Sequence, residues 1–200
     1  MKIMKNMKNM QNNQKDDFEI KGVLVKYHGS SSNVVIPNDV REIREYAFWN
    51  CKSLKTVHIP DSVKMIDRYA FSDCESLKSI NLPNSISIIG SNAFANCASL
   101  KSVIIPDSVS MVYYKTFAGC KSLTSITIPD GAYAIGEEVF DGCSSLETVT
   151  IPDSVLVIQK CAFRGCTSLK TIYVKGDIKK VKKVMNKYNP ECVKYLKQLP

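Results

Sequence analysis

Apolar and polar positions along this chain recur with a single step. Proline falls at Pro37, Pro60, Pro83, Pro106, Pro129 and Pro152, and phenylalanine at Phe48, Phe71, Phe94, Phe117, Phe140 and Phe163, each series advancing by 23 residues. The same step links Cys51, Cys74, Cys97, Cys120, Cys143 and Cys166, and two further columns run from Ser53 to Ser168 and from Leu54 to Leu169. A period held without insertion through six turns is the signature of a stacked repeat. Within the unit that starts at Ser76 (SLKSINLPNSISIIGSNAFANC), Leu77, Ile80 and Leu82 have the spacing of a short strand entered from a turn, with Ile80 and Leu82 inward and Asn81 outward. Pro83 lacks an N–H and ends the ladder. Asn84 and Ser85 suit a turn, Ile86 and Ile89 return inward on a second extended piece, Ala93 and Phe94 plug the far side, and Cys97 closes the coil. No unit has the length of helical period that a βαβ crossover requires. One coil cannot bury its apolar columns alone, whereas a stack of coils buries a continuous core, so the pattern predicts a six-repeat solenoid over residues 34–173.

The flanking patterns predict caps. Residues 18–33 contain an alternating run, Phe18 to Tyr27, around Lys21-Gly22, which predicts an N-terminal β-hairpin over the first coil. Residues 1–17 carry four lysines and little apolar surface, and a disordered basic tail is expected there. Residues 174–200 are expected to form a helical C-terminal cap. Asp177 is placed as N-cap, Val184, Met185 and Tyr188 against the last coil, and Asn189-Pro190 as the start of a second short helix through Leu196.

The unit is similar to IPDSVxxIxxxAFxxCxSLKSIx, and through it residues 34–173 resemble the BspA-like leucine-rich repeats; FEIKGVLVKYHG resembles that family's N-terminal hairpin. The resemblance implies a leucine-rich-repeat-like, right-handed parallel β solenoid. It also implies a binding or adhesion role, because family members are common on bacterial surfaces and in parasitic protists. It brings no catalytic residues with it.

Charge and cysteine refine this picture. The formal charge of +8 divides into +3 over residues 1–33, −1 over 34–173 and +6 over 174–200. A neutral body with basic ends does not supply the basic face that specific nucleic-acid binding needs. No apolar run approaches a membrane span, and the first residues lack the apolar core of a secretion signal. With unpaired cysteines expected, the sequence as it stands points to the cytoplasm, whereas the resemblance points to the cell surface. Six cysteines share an internal column, where they are expected to pack as small apolar groups. Cys161 and Cys192, outside it, are expected to be the reachable thiols. His28 and His58 lack partners at metal-ligand spacing, and no phosphate loop, nucleophile elbow or zincin motif occurs, so no enzyme activity, metal or cofactor is expected. The constant serines are expected to satisfy backbone groups between coils, and Trp49, the single tryptophan, to cover the first coil.

What remains is surface. The outward strand column His58, Asn81, Ile104, Thr127, Thr150 and Tyr173 is the candidate protein-binding face, beside a column of small hydroxyls that includes Thr56, Ser79, Ser102 and Ser125. The expected function is a non-catalytic scaffold, a monomer, presenting this face to another protein or a cell-surface glycan. The other reading is a peripheral membrane or polyanion binder acting through Lys179, Lys180, Lys182, Lys183 and Lys187 of the C-terminal helix.

Overall fold

The structure, a computed structural model, describes residues 17–199, so the expected tail falls almost wholly outside the described residues. Strands β1 (Phe18–Ile20) and β2 (Leu24–Tyr27) pair antiparallel, with Gly22 at a φ of 72° in the turn between them. From there the chain winds as a parallel β-solenoid in which most coils give one short strand to each of two faces. On the first face lie β3 (Asn33–Val35), β5 (Thr56–His58), β7 (Ser79–Asn81), β10 (Ser125–Thr127), β12 (Thr148–Ile151) and β14 (Thr171–Val174). On the second lie β4 (Glu42–Ile43), β6 (Met65–Ile66), β8 (Ile88–Ile89), β9 (Met111–Val112), β11 (Ala134–Ile135) and β13 (Val157–Ile158). Partners in the ladders are one period apart, as in Val57 opposite Ile80 and Ile66 opposite Ile89, so each column meets itself on the next coil.

The phenylalanine column is a stack of near-parallel rings, with centroids 4.8 Å apart between Phe48 and Phe71 and 5.7 Å apart between Phe140 and Phe163. It forms one continuous core with the leucine column and the inward valines and isoleucines. On the third side of each coil, tight turns require left-handed backbone at two columns. One is held by Asn50, Asp73 and Asn96 and then by Gly119, Gly142 and Gly165. The other holds Tyr46, Tyr69, Asn92, Lys115, Glu138 and Cys161, of which all but Asn92 are residue types that rarely adopt such φ values.

Inter-coil hydroxyl bonds come chiefly from a serine column other than the one singled out above. Ser85 Oγ donates to the Val63 carbonyl at 2.7 Å and Ser154 Oγ to the Ala132 carbonyl at 2.7 Å, both in the turn after the proline. Of the two intervening coils, one holds Ser108, which donates to the Ile86 carbonyl, and the other holds Gly131, where a Cβ would clash with the Asp107 carbonyl oxygen.

Both sheets are interrupted at the middle of the solenoid. On the first face β7 meets the next coil through a single bridge, Ser79 to Ser102, and residues 103–105 form no strand. On the second face β8 pairs only with β6, and β9 only with β11. The turn side stays bonded across the same junction, through Asn92 N–H to the Tyr114 carbonyl at 2.9 Å and Asn96 N–H to the Ala118 carbonyl at 2.7 Å.

The C-terminal cap differs in detail from expectation. Helix α1 (Ile178–Tyr188) has Asp177 as its N-cap, accepting from the Lys179 N–H at 2.8 Å, and buries Val181 and Met185. Tyr188 is 43% exposed, not packed on the last coil. Asn189 turns inward in its place, fully buried, its Oδ1 accepting from the Ala162 N–H at 3.0 Å and its Nδ2 donating to the Gln159 carbonyl at 2.9 Å. The coil end offers backbone groups without a following coil, so an amide fits there better than a ring. After Asn189 the expected second short helix is present as a 3-10 helix over Pro190–Tyr195, and β15 (Leu196–Gln198), which was not expected, follows it as a parallel strand beside β14.

Candidate functional site

The first sheet face brings the predicted column together in two groups. His58 and Asn81 are ladder partners in one sheet, and Thr127, Thr150 and Tyr173 are successive partners in the other. Ile104 belongs to neither. It sits on the unpaired segment between the two groups and is 84% exposed, while its neighbours Val103 and Ile105 are buried. Alternation along an extended segment turns every second side chain outward, so this exposure follows from the burial of the flanking pair.

A hollow lies on each side of this ridge. One, of about 260 Å³, is bounded by Thr56, Ser79, Asn81, Ser102 and Ile104. The other, of about 450 Å³, runs between residues 102–107 and 125–130 and reaches Lys175, whose Nζ pairs with Asp130 Oδ1 at 2.9 Å. The small hydroxyls give these hollows polar walls, and Ile104 gives them an apolar rim. Burial holds the His58 imidazole below its usual pKa, with Asp61 opposing weakly, so the ring is neutral at pH 7. Sequence reasoning placed this column outward but did not show the break in pairing. The signal available was the run Val103-Ile104-Ile105, three β-branched residues where neighbouring coils carry a polar residue at the centre.

The lysine helix is less uniform than its sequence suggests. Lys179, Lys182, Lys183 and Lys187 are exposed, whereas Lys180 is half-buried and tied to Asp153 through both its backbone carbonyl and its carboxylate. Trp49 does not cover the first coil. It is 47% exposed on the turn side, where its Nε1 donates to Asp73 Oδ2 at 3.0 Å and its ring meets Tyr46 edge-on. All eight cysteines are free thiols; Cys161 is half-buried, but Cys192 is buried under the cap and is not the reachable thiol it was expected to be. Among the described residues no group of three or more His, Cys, Asp or Glu side chains is placed to hold a metal ion, and no helix is long and apolar enough to cross a membrane.

Comparison with known proteins bears on the same residues. The description "BspA type leucine rich repeat region" matches in six copies over residues 20–129 and 87–189. A leucine rich cell surface protein from Faecalibacterium prausnitzii A2-165 is 29% identical with a TM-score of 0.65, over 78% of this chain and 51% of that one. The T. pallidum leucine rich repeat protein is 29% identical with a TM-score of 0.67, over 76% of each chain. A leucine-rich repeat protein from Eubacterium ventriosum ATCC 27560 is 28% identical with a TM-score of 0.69, over 80% of this chain and 46% of that one. This chain thus spans about half the length of the Faecalibacterium and Eubacterium proteins. No curated protein matches it.

Proposed function

We propose, from the premise that this chain belongs to the BspA-type leucine-rich repeat family, that it is a non-catalytic scaffold binding another protein across its first sheet face. The observation that carries this reading is Ile104: a large apolar side chain, 84% exposed, standing between two polar-walled hollows in the middle of that face. A desolvated apolar anchor ringed by polar contacts is the arrangement that concentrates binding energy at protein interfaces. His58, Asn81, Thr127, Thr150 and Tyr173 then form the surround. The Faecalibacterium relative is described as a cell surface protein, and display at a cell surface, with a protein or glycan ligand there, belongs to this same proposal.

The test uses a partner captured by the wild-type protein and identified by mass spectrometry. Ile104→Glu and Tyr173→Glu are expected to weaken its binding at least about tenfold in calorimetry, with the melting temperature held. Unchanged affinity for both variants moves the site off this face.

The exposed Lys179, Lys182, Lys183 and Lys187 on one short helix favour a second reading, binding of a polyanion or an anionic membrane surface. Heparin binding that falls steeply between about 50 and 200 mM salt supports it, and absence of heparin binding at the lower salt removes it.

A further inference from the structure

The larger hollow beside Ile104 is a gap in a β-ladder. Where coils are paired on the first face, the residue before the constant proline donates its N–H to the outward-column carbonyl of the next coil, as Ile36 does to His58 at 3.0 Å and Ile128 to Thr150 at 2.9 Å. Between Ile105 and Thr127 that bond is not formed, residues 103–105 make no strand, and β10 is paired only with β12. Two facing backbones therefore leave donors and acceptors unpaired along the hollow of about 450 Å³ between residues 102–107 and 125–130. The other two sides of the same coils hold. On the second face β9 pairs with β11, and on the turn side Phe117 N–H donates to the Val139 carbonyl at 3.0 Å and Gly119 N–H to the Asp141 carbonyl at 2.7 Å. Inside, Phe117 and Phe140 lie 6.0 Å apart, the widest step in the phenylalanine stack. The two coils are splayed as a wedge that opens on the first face.

We infer that this gap receives an extended peptide segment of the binding partner, which lies parallel to β10 and completes the missing ladder with its own main chain. The inference rests on the first-face reading above and names what that face recognises. Three observations fix the occupant. Unpaired N–H and C=O groups at the edge of a strand are a template for another strand, and residues 102–107 give room for about five extended residues at ~3.3 Å each. Val103, Ile105, Ile126 and Ile128 are buried on the inward side of the gap, so the segment carries apolar side chains at alternate positions. Charge sets the end of the segment. The hollow stops at Asp107, whose exposed carboxylate accepts the Asp130 N–H at 3.2 Å and has no ion-pair partner among the described residues. In the same column Asp130 is paired with Lys175 and Asp153 with Lys180. A lysine or arginine at the C-terminal end of the bound segment supplies the cation that Asp107 lacks.

The probe is a fluorescein-labelled peptide that repeats the sequence of β12 and adds a lysine, Thr-Val-Thr-Ile-Lys. Fluorescence polarisation with the full chain is expected to show saturable binding with a midpoint below about 200 µM. The same peptide N-methylated at alternate residues keeps its side chains but loses main-chain donors, and is expected to bind at least about tenfold more weakly. Asp107→Asn, at an exposed site, is expected to weaken binding of the unmodified peptide about two- to fivefold and to leave the melting temperature unchanged. Hydrogen exchange at Ile105 and Thr127 is expected to slow at least about tenfold when the peptide is bound. The N-methyl arm alters the peptide alone, so it does not depend on any variant folding. Absence of saturable binding, equal affinity of the N-methylated peptide, or unchanged exchange at both positions overturns the inference. If a captured partner then still loses affinity with Ile104→Glu, the first-face reading stands and only strand insertion is removed.

Discussion

The thiol of Cys97 donates to the carbonyl oxygen of Phe71 at 3.2 Å, bridging one coil to the coil before it. The same bond joins Cys74 to Phe48, Cys120 to Phe94, Cys143 to Phe117 and Cys166 to Phe140, at 3.1 to 3.3 Å. The Phe71 carbonyl also accepts the Cys74 backbone N–H at 3.3 Å, so the thiol of the next coil fills its second lone pair. A column of cysteine is thereby explained by two properties together, small volume in a packed core and a weak donor aimed at a carbonyl. Cys97→Ala removes the donor and leaves a small void. It is expected to destabilise the protein by about 1–2 kcal/mol in urea titration, and an unchanged midpoint would show that the bond contributes nothing.

Burial pushes the thiols of Cys97 and Cys143 well above their usual range, and it pushes Cys192 up to about 12, helped by Glu191. Thiolate is the reactive form, so these side chains are doubly protected, by access and by protonation. In the native protein iodoacetamide is expected to label half-buried Cys51 and Cys161 first and to spare Cys97, Cys143 and Cys192. In denaturant without reductant all eight cysteines are expected to label, as counted by intact mass. A smaller count from protein isolated at its native location would reveal disulfides and an oxidising environment.

Asp73 offers a pH-dependent signal at Trp49. Burial opposes its charge, but hydrogen bonds from Asn96, Ser72 and Trp49, with Lys52 nearby, hold its carboxyl below the ordinary carboxylate range. A folded-state pKa below the unfolded value means that the ionised contacts stabilise above that range and are lost as pH falls through it. Trp49 is the only tryptophan, so its emission reports this bond directly. The emission is expected to shift with a midpoint below about 4, while circular dichroism stays constant, and Asp73→Asn is expected to remove the transition. Identical titrations for wild type and variant would separate Trp49 from Asp73.

Whole coils are modular, because ladder partners between successive solenoid strands, as in β3, β5 and β7, are one period away. Deleting residues 76–98 brings Phe71 under Phe117 and Cys74 under Cys120, and the shortened chain is expected to remain soluble with one cooperative thermal transition. Deleting residues 76–87 sets apolar columns against polar ones and is expected to give aggregation or an unfolded circular dichroism spectrum. Equal behaviour of the two deletions would contradict the column-on-column packing.

Much of this architecture is present in the order of residues. A 23-residue step in proline, phenylalanine, cysteine and leucine dictates that each position stacks on its own kind, and the apolar spacing around Ile80 and Leu82 dictates which positions face the core. Stacking and facing are local consequences of period and alternation, so they need no tertiary information. The outward position of Ile104 and Asn81 and the N-cap role of Asp177 were legible for the same reason. Other features depended on which coil is next to which, and where the stack ends. The thiol bond from Cys97 to Phe71 and the hydroxyl bond from Ser85 to Val63 are contacts between coils, whose geometry no single unit contains. Asn189 and β15 occupy a solenoid end, where unpaired backbone groups recruit whatever can pair with them, so the inward amide and the added strand were not legible in the short-range helix signals around them. The exposure of Tyr133 and Leu156 likewise arose only once their coils were aligned: one apolar residue per turn is unremarkable along the chain, and becomes a continuous face when 23 residues of winding bring each beside the last.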